Sequence, residues 1–166
     1  MKTMMLGALA LMTAGAASAE TYAIQAGRLI VDAGKPALGP STVIVENGRI
    51  LRIEAGATAP AGATVVDLRS RTVLPGLIDT HVHLTVNPGT PFWQEATTTS
   101  EALTIVGVGN ALKTVRAGFT TVRDLGAGAS SILAIRDAIQ GGLVSGPRVL
   151  AAGPAVSIVG GHGDVS

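Results

Sequence analysis

The sequence predicts an α/β protein in which a short β-rich module precedes a parallel sheet. Between Thr21 and Val73, β-branched runs are short and separated by turn residues. After Pro75, strand-like and helix-like segments alternate at the spacing of βαβ units, which build parallel sheets with right-handed crossovers. The 166 residues are 47% hydrophobic, a composition that can bury a core and that excludes a disordered chain.

Residues 1–19 are predicted to be a cleaved secretory signal. Lys2 provides a positive end, an apolar run from Met4 to Met12 follows, and Ala17-Ser18-Ala19 forms a small-x-small cleavage site. The run is shorter than the roughly 20 residues that span a bilayer as a helix. An N-terminal core helix is the alternative, but it leaves the Ala-Ser-Ala ending unexplained. We therefore expect a mature chain from Glu20, a periplasmic or secreted location, and no membrane span after cleavage.

Residues 20–73 are predicted to form a small antiparallel β module. The runs 42–46 and 49–53 flank Asn47-Gly48, and because both turn residues tolerate positive φ, this pattern indicates a hairpin. Further strands are expected over 22–31 and 64–68.

Residues 74–166 are predicted to form the βαβαβ part. Strands are expected over 76–84, 119–125 and 147–152, with helices between them. The first helix is expected to begin at an N-cap at Ser100 and to run to about Arg116. The second is expected to run from Ser130 or Ser131 to Ile139. The strands read as buried on both faces, which a sheet of three cannot provide, so we expect the chain to be truncated.

Composition limits the classes of partner. A formal net charge of +1 provides no dense basic face to displace counterions from phosphates, so a nucleic-acid partner is not expected. The absence of cysteine excludes disulfides and thiolate zinc sites. The expected partner is a small molecule. An open sheet edge favours association, so the sequence is also compatible with an oligomer.

His81 and His83 are the candidate metal ligands. Residues i and i+2 of a strand point to the same face, so both imidazoles can converge on one ion. They stand at the carboxyl end of their strand, where parallel α/β sheets and barrels build sites, and neutral imidazole suits zinc and its neighbours. Asp79 shares this face as a potential supporting acceptor. The alternative is that the two histidines are polar residues on the rim of a strand.

The segment Val73-Leu74-Pro75-Gly76-Leu77-Ile78-Asp79-Thr80-His81-Val82-His83-Leu84 resembles the signature of the metal-dependent amidohydrolase superfamily. Two later segments, Gly118-Phe119-Thr120-Thr121-Val122-Arg123-Asp124 and Gly146-Pro147-Arg148 through Gly161-His162-Gly163-Asp164, are similar to its imidazolonepropionase-like and secreted dipeptidase branch. The resemblance covers nearly all of the mature chain but only about the first third of such a protein.

This resemblance implies a fold: a small β-sandwich domain, of which 20–73 would be the N-terminal part, before an incomplete (β/α)8 TIM-type barrel. Residues 74–166 would supply the first three strands of that barrel. It also implies that His81 and His83 bind a divalent metal, most often zinc, with one or two ions in the complete enzyme. The remaining ligands and the general-base aspartate would lie on later strands, beyond the end of this chain.

The implied activity is hydrolysis of an amide or related C–N bond, in a dipeptide or an N-acyl amino acid, with this chain as an inactive N-terminal fragment. The alternative is a short, non-catalytic metal-binding or structural β/α protein.

Two further polar sites are predicted outside the His-x-His motif. His162 lies among glycines in a loop that follows the third strand, and its location and the resemblance favour substrate binding over a solvated residue held by Asp164. Arg123 and Asp124 end the second strand, and we interpret them as a structural ion pair.

Overall fold

The computed structural model describes residues 20–161 and residue 163. The predicted signal, residues 1–19, lies outside the described residues, as does His162. The chain divides into two compact units, the first ending at Pro75 and the second beginning at Gly76. Within the described residues, no helix is long and apolar enough to cross a membrane.

The first unit contains a four-stranded sheet. Its strands are β1 (Thr21–Leu29), β2 (Ser41–Glu46), β3 (Arg49–Ala55) and β4 (Thr64–Val73), in the spatial order β3-β2-β1-β4. The predicted hairpin is confirmed: β2 and β3 are antiparallel, and both turn residues have positive φ, 51° at Asn47 and 74° at Gly48.

The expectation of a purely antiparallel module is wrong at one pairing, because β4 runs parallel to β1. The chain leaves β3 at one edge of the sheet and returns at the opposite edge, beside β1. Alternation of apolar and polar residues marks a strand but carries no information on its direction, so the sequence could not predict this crossover.

The buried residues of β1 do not follow the two-residue period of a regular strand. Its buried residues, Ala23, Ala26 and Leu29, are three apart rather than two. The pairing of β1 with β4 shifts register between Ala26 and Arg28, and such a bulge changes which side chains face inward, so it accounts for the spacing of Ala26 and Leu29. Ala23 and Ala26 lie before the bulge, in regular strand, and face opposite sides of the sheet. Ala26 and Leu29 pack with Val43 in the buried cluster of this unit.

The second unit is the predicted α/β part. It consists of β5 (Leu77–Val82), α1 (Phe92–Thr97), α2 (Ser100–Arg116), β6 (Phe119–Asp124), α3 (Ala129–Gln140) and β7 (Arg148–Ala151). The three strands are parallel and lie in the order β5-β6-β7. In this order each strand lies beside its sequence neighbour, as in a (β/α) barrel, whereas doubly wound sheets reverse order at a switch point.

Helices α2 and α3 pack against this sheet through a buried apolar cluster. Its members come from both helices, from the strands and from the segment after β5: Leu84, Ala111, Val122, Ile132, Ile135 and Val149. This packing holds β6 and β7 against α2 and α3.

The helix boundaries differ from the sequence-based expectations by one or two residues. The N-cap of α2 is Thr99, whose side chain accepts a hydrogen bond from the backbone N–H of Ala102, and Ser100 is the first helical residue. Helix α3 begins at Ala129 rather than at a serine. The short helix α1 was not predicted, because its Pro- and Thr-rich surroundings read as a loop.

Candidate metal centre

The two candidate ligands lie together at the carboxyl end of β5. Their ring centroids are 5.3 Å apart with an edge-to-face angle of 68°. Both side chains are exposed, and Val82 between them packs against the apolar cluster of the second unit. The structure therefore brings His81 and His83 together on the solvent side.

The ring of His83 contacts the backbone of the loop that follows β6. Its Nδ1 lies 2.8 Å from the carbonyl oxygen of Gly126. Since a carbonyl oxygen only accepts, this contact is a hydrogen bond in the form of the ring that carries a proton on Nδ1, and the neutral ring of that form has its lone pair on Nε2. An imidazole that donates one N–H to a backbone carbonyl is the usual arrangement of a metal-binding histidine.

Asp79 supports His81 through the main chain. Its Oδ1 accepts a hydrogen bond of 3.0 Å from the backbone N–H of His81. Asp79 thus restrains the backbone conformation at His81, a role different from the expected contact with an imidazole.

Asp124 is the buried polar group of this region, with 0% of its surface exposed. One carboxylate oxygen accepts the backbone N–H of Leu84 at 2.7 Å, and the other accepts the N–H of Gly126 at 3.2 Å. Burial raises the pKa of this carboxyl, while the two backbone hydrogen bonds and the nearby His83 act in the opposite direction.

The predicted ion pair between Arg123 and Asp124 is wrong. Neighbours on a strand point to opposite faces, so the two side chains diverge. Arg123 Nε donates to the carbonyl oxygen of Thr80 at 2.8 Å, whereas Asp124 accepts only backbone N–H groups among the hydrogen bonds described above.

Asn110, on α2, is a site residue that the sequence did not indicate. Its side-chain amide donates to the carbonyl oxygen of Leu84 at 2.9 Å and to Asn87 Oδ1 at 3.1 Å. Both backbone groups of Leu84, the residue after His83, are therefore held by side chains, one from β6 and one from α2. Asn110 precedes the buried Ala111 in α2, and a polar residue beside that buried position is the sequence signal that could have pointed to it.

The donor set fits a borderline divalent cation. Two imidazole nitrogens that each lie about 2.0–2.1 Å from a zinc ion bring their ring centres to roughly 5 Å of each other, close to the separation of 5.3 Å observed here. Among residues 20–161 and 163, no group of three or more His, Cys, Asp or Glu side chains could hold a metal ion. The described part of the chain therefore offers two nitrogen ligands, fewer than a closed zinc site requires.

Comparison with known proteins agrees with this architecture. Residues 72–164 match the amidohydrolase family. The chain is 47% identical over 60 residues to a dihydroorotase of Geobacter sulfurreducens, an overlap that covers 36% of this chain and 14% of the dihydroorotase. It is 39% identical over 70 residues to an allantoinase of Streptomyces avermitilis, covering 42% of this chain and 16% of that protein.

Among solved structures, the fold matches a Xaa-Pro dipeptidase that holds methionine in its active site. The TM-score is 0.77 at 32% identity, over 87% of this chain and 36% of the dipeptidase. The chain thus spans about a third of that structure. This likeness confirms the predicted fold class, α/β with the first strands of a TIM-type barrel.

Proposed function

This chain belongs to the amidohydrolase family, and from that premise we propose that it forms the first part of a metal-dependent hydrolase acting on an amide-type C–N bond. The observation that carries the proposal is the pair His81 and His83 at the end of β5, with the His83 ring already oriented by the Gly126 carbonyl. Members of this family typically use divalent metals, and two imidazoles favour zinc among them.

In this proposal the residues of the chain have separate tasks. His81 and His83 hold the cation through ring nitrogens, and Asp79 restrains the backbone at His81. When bound, the cation would lower the pKa of water and polarise the scissile carbonyl. The other ligands and the general base would come from barrel strands outside residues 1–166, so we propose that these residues alone are inactive.

The proposed substrate is a dipeptide or an N-acyl amino acid. Support comes from the Xaa-Pro dipeptidase likeness, which extends over 87% of this chain. The dihydroorotase and allantoinase overlaps are shorter. We further propose that His162 contacts the substrate, on the basis of its glycine neighbours in the sequence and of the family resemblance.

The test of this function is metal analysis combined with a substrate panel on the complete gene product that carries this sequence. We expect bound zinc, hydrolysis of dipeptides (Xaa-Pro included) or N-acyl amino acids, loss of activity on chelation, and recovery with Zn²⁺ but not with Ca²⁺, which prefers oxygen ligands. Residues 1–166 assayed alone serve as the matched control and should show no turnover. Full activity after exhaustive chelation, or no C–N hydrolysis by a zinc-loaded protein, would contradict the proposal.

We also propose a periplasmic or secreted location, which the signal-like residues 1–19 support. Amino-terminal sequencing of the protein recovered from its host should begin at Glu20. A mature protein that starts at Met1 would overturn this assignment.

A further inference from the structure

We propose that Asp124 is a positioning residue for His83, because its carboxylate holds both backbone segments that place the imidazole. This inference rests on the proposed function only in that it treats His83 as a metal ligand. The hydrogen bonds that carry it join residues of this chain to one another.

The first of these segments is the chain immediately after His83. Asp124 accepts the backbone N–H of Leu84 at 2.7 Å, and Leu84 is itself buried in the apolar cluster. Because His83 lies one residue beyond the last residue of β5, this hydrogen bond restrains backbone that no longer belongs to the strand.

The second segment is the loop that begins after β6. The other Asp124 oxygen accepts the N–H of Gly126 at 3.2 Å, and the carbonyl of the same glycine accepts from His83 Nδ1 at 2.8 Å. A Cβ at Gly126 would lie 3.0 Å from the Ala155 Cβ and 3.4 Å from the His83 ring. The absence of a side chain at Gly126 therefore allows the close approach of Ala155, while the hydrogen bond to Asp124 restrains the Gly126 backbone that contacts the imidazole.

The two contacts require a carboxylate rather than any polar group. Two N–H donors converge on the two oxygens of one side chain that is completely buried. An asparagine of the same shape accepts from only one of them and turns its NH₂ group toward the other donor. A buried donor left without an acceptor is destabilising, so the loop at Gly126 or the turn at Leu84 should shift.

The test is to substitute Asp124→Asn in the full chain, prepared without metal. The tautomer of His83 is then determined from long-range ¹H–¹⁵N NMR spectra. In the unsubstituted chain we expect His83 to be protonated at Nδ1 alone when its ring is neutral, because Gly126 offers only an acceptor. In Asp124→Asn we expect a mixture of the Nδ1 and Nε2 forms, with the His81 signals unchanged. In the complete protein, zinc affinity measured by chelator competition should fall about 10- to 100-fold, as for other partners of metal ligands.

Two control substitutions separate positioning from a general loss of stability. Val122→Ala removes a fully buried side chain two residues earlier on the same face of β6, so it should lower stability without changing the His83 tautomer. Asp137→Asn removes an exposed carboxylate that pairs with Arg136, and it should change neither the stability of the chain nor the His83 tautomer.

The outcomes are distinguishable. A folded Asp124→Asn chain in which His83 remains wholly Nδ1-protonated overturns the positioning role, whether or not zinc binds. If this variant does not fold, hydrogen exchange in the unsubstituted chain decides: the Leu84 and Gly126 amides should be strongly protected, and exchange at the rate of open loop amides overturns the proposal. A shifted tautomer in a protein that never binds metal supports the positioning role and instead contradicts the proposed function.

Discussion

Replacing either His81 or His83 with alanine is expected to remove the divalent metal and, with it, the hydrolytic activity of the complete protein. The two rings are the nitrogen donors that the described part of the chain brings together. Loss of a partner that merely orients a ligand reduces metal affinity about 10- to 100-fold, so loss of a ligand itself should exceed that range. Metal content per protein and turnover are the measurements, and we expect both to fall to background.

Thr80→Val is the matched control for both histidine variants. Thr80 lies on the same strand beside His81, and its backbone carbonyl accepts from Arg123, a contact that the substitution preserves. Metal content and turnover should remain at the level of the unsubstituted protein. Full zinc occupancy in either histidine variant would show that the substituted residue is not a ligand.

Replacing Gly27 with alanine is expected to produce the largest loss of stability in the first unit. A Cβ built at Gly27 lies 2.1 Å from the carbonyl oxygen of Arg69 and 2.9 Å from its carbonyl carbon. The obstacle is backbone of β4 rather than a movable side chain, so relief requires separating β4 from β1 at the bulge. Overpacking of this kind costs roughly 1–3 kcal/mol and sometimes more, and here we expect the upper end, about 3 kcal/mol.

Native-state hydrogen exchange of the β1 and β4 amides measures this effect without requiring the two units to unfold together. Gly39→Ala is the control, because a Cβ at Gly39 meets nothing within 4 Å. That substitution should change stability by less than about 1 kcal/mol. Equal protection in the two variants would show that β1 and β4 are less closely packed than their geometry indicates.

Much of the fold could be predicted because its signals are local. The Asn47-Gly48 turn requires positive φ at both positions, and the alternation of strand and helix after Pro75 leads directly to a parallel sheet. The parallel pairing of β1 with β4 could not be predicted, because it depends on a crossover whose direction no local pattern encodes. Gly27 illustrates the same limit: only the position of Arg69, far along the sequence, explains why a side chain is excluded there.

Part of the candidate site could likewise be predicted from the sequence, and part could not. The spacing of His81 and His83 is sufficient to predict that the two rings lie together, although His83 lies one residue beyond the end of β5. The role of Asp124 was missed because Arg123 beside it suggested an ion pair, although a carboxylate two residues after Val122 shares that residue's buried face and requires partners there. Those partners are backbone N–H groups of Leu84 and Gly126, which a sequence does not display. The assignment of His81, His83 and His162 as functional residues stays a prediction.

The hydrogen bond between His83 and Gly126 would lower the entropic cost of binding the proposed metal. The contact with the Gly126 carbonyl restricts the rotamer of the His83 ring and favours the tautomer protonated at Nδ1. Immobilising a side chain at the moment of binding costs about 0.5–1.5 kcal/mol, and this hydrogen bond would reduce that cost for His83 in the proposed metal site. Metal selectivity and affinity would then depend mainly on the ligands that must still move.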